Sequence, residues 1–133
     1  VARRAIPVTV AVGVDVVDLD RFEAVMTRQQ SFLDRVFTPD ERAYCDRAKA
    51  VSVRCQRYAA RFAAKEAVMK ALGCGLGAYG FHDVAVARDD DSGEPSLVVQ
   101  GKAAVLADER GITRWAVSLT HSDLVAIAIV AGE

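Results

Sequence analysis

Little in this chain invites disulfide, transition-metal or membrane chemistry. It carries only two histidines and three cysteines in 133 residues, with no C-x-x-C spacing. An odd set of isolated thiols excludes a disulfide framework and a cysteine zinc site, and so few imidazoles exclude a transition-metal centre. Cys45, Cys55 and Cys74 therefore read as reduced, packing residues. No apolar run reaches the roughly eighteen residues of a membrane span, and Val1–Pro7 is too short ahead of its strand to be a signal peptide. A formal net charge of −1 lacks the basic excess of a protein that coats nucleic acid. The expectation is a soluble cytoplasmic protein whose partner is another protein or a small molecule, with no nucleic acid and no membrane.

What is present is core material. With 52% hydrophobic and 26% charged residues, the chain suits one globular domain over 1–133, and no repeat, linker or low-complexity tract divides it. Val8–Val16 alternates as a strand, five valines on one face and Thr9, Ala11, Gly13 and Asp15 on the other. A helix is expected from about Asp20 to Gln29–Gln30, with Phe22, Val25 and Met26 inward and Asp20 and Glu23 at capping-box spacing. Arg21 and Arg28 share its outer face. Ser31–Phe37 reads as a turn. Thr38-Pro39-Asp40-Glu41 then combines an N-cap, an N1 proline and a capping acid. The longest helix is expected over Ser52–Leu72, stopped by Gly73. Strands follow at His82–Arg88 and Ser96–Gln100, a helix at Lys102–Arg110, and strands at Arg114–Thr120 and Leu124–Val130.

Charges inside an apolar stripe mark the long helix. At about 100° per residue, Glu66 and Lys70 lie roughly 40° apart between Tyr58, Phe62 and Met69 on one side and Ala59 and Ala63 on the other. Such a pair is either an i,i+4 helix contact worth about 0.2–0.5 kcal/mol or a carboxylate and an ammonium held at a site. Asp15 offers the same choice. It either begins a turn into Asp18-Leu19-Asp20 or stands in the room that the small residues beside it leave. The run Gly73–Gly80 holds four glycines in eight residues, but it leaves a helix and follows no strand, so the glycine-rich phosphate loops of nucleotide-binding folds do not fit. His121 lies at the last turn, beside Ser118 and Thr120. Ser118, His121 and Asp123 lack the nucleophile elbow of a hydrolase. Carboxylates remain, and these suit Mg²⁺ shared with substrate phosphates and water.

Four blocks then carry a resemblance: Gly13-Val-Asp15-Val-Val-Asp18; Arg35-Val-Phe-Thr38 with Glu41; Arg61-Phe-Ala-Ala-Lys65-Glu66 through Lys70-Ala-Leu-Gly73; and Val117-Ser-Leu-Thr-His121. In this order they resemble the 4′-phosphopantetheinyl transferases, especially the small holo-[acyl-carrier-protein] synthases. The resemblance implies an α+β fold with a small, largely antiparallel sheet on the long helix. It implies transfer of the phosphopantetheine arm of coenzyme A to a serine of an apo acyl, peptidyl or polyketide carrier, with adenosine 3′,5′-bisphosphate released. Asp15 and Glu66 match the family's Mg²⁺ ligands, Lys70 a pyrophosphate contact, and Arg61, Gly73 and His121 positions that meet coenzyme A. The serine proton is left to Glu66 or to a metal-bound water. The family's carrier-binding role makes Arg21 and Arg28 candidates for carrier docking, and its small members imply a homotrimer with sites between subunits. Three features depart from the pattern: Met69 stands where relatives commonly have serine, the segment before Val8 is longer, and Asp20 adds a negative charge beside Arg21. A non-catalytic carrier- or coenzyme-A-binding module, and a Mg²⁺-dependent coenzyme A phosphohydrolase, are the rival readings.

Overall fold

The alternation of the first strand is kept, and its small-residue face is the one that packs. In the computed structural model, which describes residues 10–133, β1 spans Ala11–Asp18; Val8 and Thr9 lie outside the described residues. Gly13 sits so close to the long helix that a Cβ there would fall 1.8 Å from the carbonyl oxygen of Ala67, so only glycine permits this approach. The valine face points away, with Val12, Val14 and Val16 exposed.

Helix α1 (Leu19–Arg28) follows without a loop. Its N-cap is Asp18, whose carboxylate accepts the Arg21 N–H at 2.9 Å, and not Asp20, because the helix starts two residues earlier than the capping-box spacing suggested. Phe22 and Met26 are buried as expected, whereas Val25 is 40% exposed. The expected turn at 31–37 is a helix, α2 (Gln30–Val36). Phe32 reaches Phe22, Phe37 and Phe62 in edge or tilted contacts of 5.8–6.3 Å, so tertiary packing decides the conformation of a segment too short to be helical alone. Helix α3 (Pro39–Asp46) carries the full capping box between Thr38 and Glu41.

Helix α4 (Val51–Leu72) is the spine. Ala59, Ala60, Ala63, Ala64 and Ala67 are all buried, which lets the strands lie close against it. Gly73 closes it in the left-handed conformation at φ 64°. The glycine-rich stretch leads to a 3₁₀ turn at Phe81–Asp83, so strand β2 is shorter than expected, Val84–Arg88. β3 is Pro95–Val99, α5 Gly101–Glu109, β4 Trp115–His121 and β5 Val125–Gly132.

Strands β1, β5 and β4 form an antiparallel sheet in that order, and β2 and β3 a separate hairpin. The inner face places Gly13 opposite Val130 and Asp15 opposite Ala128; across β5, Leu119 also faces Ala128, and His121 faces Ala126. Two clusters share α4: Val68, Leu72, Val84, Ile112 and Val130 towards its C-terminal half, and Phe22, Phe37, Cys55 and Tyr58 towards its start. Met69 belongs to the first. No helix among the described residues is long and apolar enough to cross a membrane.

Candidate functional site

Helix α4 packs on β1 and on the middle strand β5 of the three-stranded sheet and much less on β4, so it has a close β1 flank and an open β4 flank. The two edge strands stand about 9–10 Å apart, two inter-strand spacings. The candidate residues divide between these flanks.

On the β1 flank, Asp15 comes from the inner face of the strand and meets α4. Lys70 Nζ donates to Asp15 Oδ1 at 2.9 Å and to the Val14 carbonyl at 3.1 Å. The i,i+4 pairing of Glu66 with Lys70 is not among the ion pairs of the described residues; the lysine turns across to the strand instead. Glu66 is half-buried, and its carboxyl is pushed above the ordinary range, first by burial and then by the Asp15 charge, with Lys70 opposing. Asp15 and Glu66 both line an open pocket of ≈ 450 Å³, together with Asp18, Arg21, Phe22 and Phe62, and Lys70 pairs with Asp15 beside it. Arg28 is exposed seven residues beyond Arg21, on the same face of α1 and outside the pocket lining. Gly73 caps the helix three residues beyond Lys70.

The β4 flank holds Arg61 and His121, together with residues the sequence did not single out. Arg61 is 5% exposed, donates from Nη1 to the Arg57 carbonyl at 3.2 Å, and stacks 4.3 Å from the centre of the Tyr44 ring. His121, the last residue of β4, is exposed. Arg57, Arg61, Arg88, Tyr44, Thr120 and His121 line a pocket of ≈ 370 Å³ that shares no residue with the first. The structure therefore brings Asp15, Glu66 and Lys70 together, brings Arg61 and His121 together, and separates the two groups.

A family model described as the 4′-phosphopantetheinyl transferase superfamily matches residues 11–129. The chain belongs to that superfamily. A holo-[acyl-carrier-protein] synthase of Frankia alni is 46% identical over 124 residues, covering 93% of this chain and 97% of the relative. Among solved structures, the holo-(acyl-carrier-protein) synthase of Bacillus anthracis in complex with CoA (3′,5′-ADP) aligns with a TM-score of 0.74 at 32% identity, covering 92% of this chain and 94% of that one. The ACPS–CoA complex of Chronobacterium ammoniagenes aligns with a TM-score of 0.80 at 27% identity, over 93% and 96%.

In this phosphopantetheinyl transferase one buried pair ties α4 to α3, the 3₁₀ turn and β2. Lys65 Nζ meets Glu41 Oε1 at 2.7 Å with both side chains sealed from solvent, and it also donates to the Phe81 carbonyl at 3.0 Å. Glu41 accepts the Thr38 N–H at 3.0 Å and the Val86 N–H at 3.1 Å. Burial pulls the Lys65 ammonium down, and Glu41 pulls it back up. The signal for this pair lay in the sequence: Lys65 is seven residues from both Tyr58 and Leu72, on one buried stripe.

Proposed function

We propose that this chain, as a single phosphopantetheinyl transferase domain, transfers the 4′-phosphopantetheine arm of coenzyme A to a serine hydroxyl of an apo carrier protein. The serine oxygen attacks the phosphorus that bears pantetheine, the pyrophosphate P–O bond breaks, and adenosine 3′,5′-bisphosphate leaves as the serine proton is lost. The observation that carries this reading is the convergence of Asp15, Glu66 and Lys70 beside a pocket of ≈ 450 Å³. No group of three or more His, Cys, Asp or Glu side chains gathers as a metal cage among the described residues. A donor set of two carboxylates suits Mg²⁺, which keeps waters and takes its remaining ligands from substrate phosphates. Asp15 and Glu66 would hold it, and when bound it supplies charge neutralisation along the pyrophosphate. Lys70, 57% exposed at its side chain, has the freedom to pass from Asp15 to a phosphate oxygen.

Coenzyme A also engages Arg61, Gly73 and His121 in this reading. Arg61 and His121 lie on the opposite flank of α4 from the carboxylates, which favours a homotrimer in which one subunit's β4 flank meets its neighbour's β1 flank. The outer sheet face supports the same assembly: Val12, Val14, Val16 and Ile129 are 48–61% exposed in one apolar surface, of the kind that marks an interface. Arg21 and Arg28 dock the acidic carrier. The three cysteines are free, which accords with a cytoplasmic setting.

The test is intact-mass analysis of a panel of apo carrier proteins incubated with coenzyme A and Mg²⁺. Asp15→Ala and Glu66→Ala are expected to slow the gain of phosphopantetheine by about 10²–10³ while the fold persists. A folded variant with wild-type turnover at limiting Mg²⁺ contradicts the metal assignment. Release of free phosphopantetheine without a carrier would make the protein a hydrolase.

A further inference from the structure

Between Gly73 and Gly80 the chain is exposed or half-exposed except at Tyr79, which is 5% exposed and belongs to the cluster of Met69 and Leu72 on the C-terminal half of α4. One buried ring anchors the glycine-rich stretch. Anchoring needs the ring and not its hydroxyl, for a phenol oxygen sealed from water without a hydrogen-bond partner costs stability that phenylalanine would not lose. The Tyr79 hydroxyl is such an oxygen. Burial first, then the charges of Cys74, Glu66 and Asp83, push its ionisation up, which keeps it a neutral donor. Two of those neighbours are already engaged: Cys74 Sγ donates to the Met69 carbonyl at 3.8 Å, and Asp83 accepts the Lys102 N–H at 3.1 Å. Glu66 remains free. Its half-buried side chain makes no hydrogen bond or ion pair among the described residues, since Lys70 turns to Asp15. A donor that lacks an acceptor therefore stands within reach of the charge of an acceptor that lacks a donor.

We propose that Tyr79 is a positioning residue for Glu66, its hydroxyl being the donor that holds the carboxylate in the orientation that takes Mg²⁺. This rests on the proposed function, in which Glu66 is a Mg²⁺ ligand. A ligating carboxylate has lone pairs to spare, and an outer donor that occupies one of them sets the ligand's direction. Glu66 has a long side chain and no partner to leave, so turning to the phenol breaks no bond. Met69, buried in the same cluster, offers a thioether that cannot donate. Nothing in the resemblance assigned Tyr79. Its hydroxyl is unsatisfied in the resting protein and satisfied in the loaded site, a loss of stability kept for function.

The experiment compares the wild type with Tyr79→Phe, Glu66→Gln and the double variant, by melting curves without ligand and by calorimetric binding of coenzyme A, with no carrier present, across a Mg²⁺ series. Tyr79→Phe is expected to melt at or above the wild-type temperature, because the resting hydroxyl has no bond to lose. Its affinity for coenzyme A without Mg²⁺ should match wild type, while the Mg²⁺ concentration that half-saturates the metal-dependent gain in affinity rises about 10–100-fold. Adding Tyr79→Phe to Glu66→Gln should cost nothing further. A Tyr79→Phe protein with the wild-type Mg²⁺ requirement, or one that binds coenzyme A more weakly by the same factor with and without Mg²⁺, overturns the assignment. So does a variant that melts well below wild type, since the hydroxyl would then be bonded in the resting fold, and so does a wild type whose binding ignores Mg²⁺. A wild type that shows the Mg²⁺ effect, loses it in Tyr79→Phe and transfers nothing to any carrier overturns the proposed function and leaves the positioning role standing.

Discussion

Lys70 is the residue for which the structural and the functional accounts diverge most cleanly. Its partner is Asp15, across the gap between helix and strand, and its side chain is more than half exposed. An exposed pair of this kind contributes about 0–1 kcal/mol. Lys70→Met is therefore expected to shift the unfolding free energy by under about 1 kcal/mol and to weaken coenzyme A binding or slow transfer well beyond that. Denaturant unfolding and transfer kinetics on one preparation measure both. Unchanged kinetics would return Lys70 to a purely local role. Burial and the Asp15 charge make Glu66 harder to ionise, and Lys70 offsets part of that effect.

Among the elements, the buried bond between α4 and the start of α3 carries the sharpest stability prediction. Lys65→Met leaves Glu41 charged and sealed in the interior, a loss of about 3–5 kcal/mol. Adding Glu41→Gln should restore part of it, because the Thr38 and Val86 N–H groups keep an acceptor. Melting curves of the single and double variants give the coupling, and a single variant as stable as wild type would show the pair to be dispensable. The helices were legible in the sequence wherever local chemistry sets them: Thr38 and Glu41 begin α3, and Gly73 ends α4. The α2 segment was not, since Phe32 becomes helical through contacts with Phe22, Phe37 and Phe62 that no local pattern encodes. The cap of α1 was missed by two residues because Asp18 and Asp20 offer the same side chain. Asp15, Glu66 and Lys70 stood out as charges among small or apolar neighbours. Tyr44, Arg57 and Arg88 did not, because a cluster drawn from α3, α4 and β2 has no linear spacing.

At the scale of the whole molecule, the surfaces that matter are those proposed to meet other chains. Arg21 and Arg28 form an exposed pair of cations along α1, and the docking of an acidic carrier proposed for them would act on encounter and be screened over about 8–10 Å at ordinary salt. Reversing both charges is expected to lower kcat/KM for the carrier and flatten its salt dependence, with KM for coenzyme A little changed. Stopped-time transfer assays across a salt series measure this, and unaltered carrier kinetics would move docking to another surface. The proposed assembly makes the two flanks of α4 halves of one transferase centre completed between subunits. Its most direct test is to co-express Glu66→Ala with Arg61→Gln/His121→Ala, each variant impaired alone, and to weigh the apo carrier after incubation with coenzyme A and Mg²⁺. In a closed ring of randomly mixed subunits, transfer should return to about a quarter of the wild-type rate; a mixture no more active than its two components would contradict the shared centre.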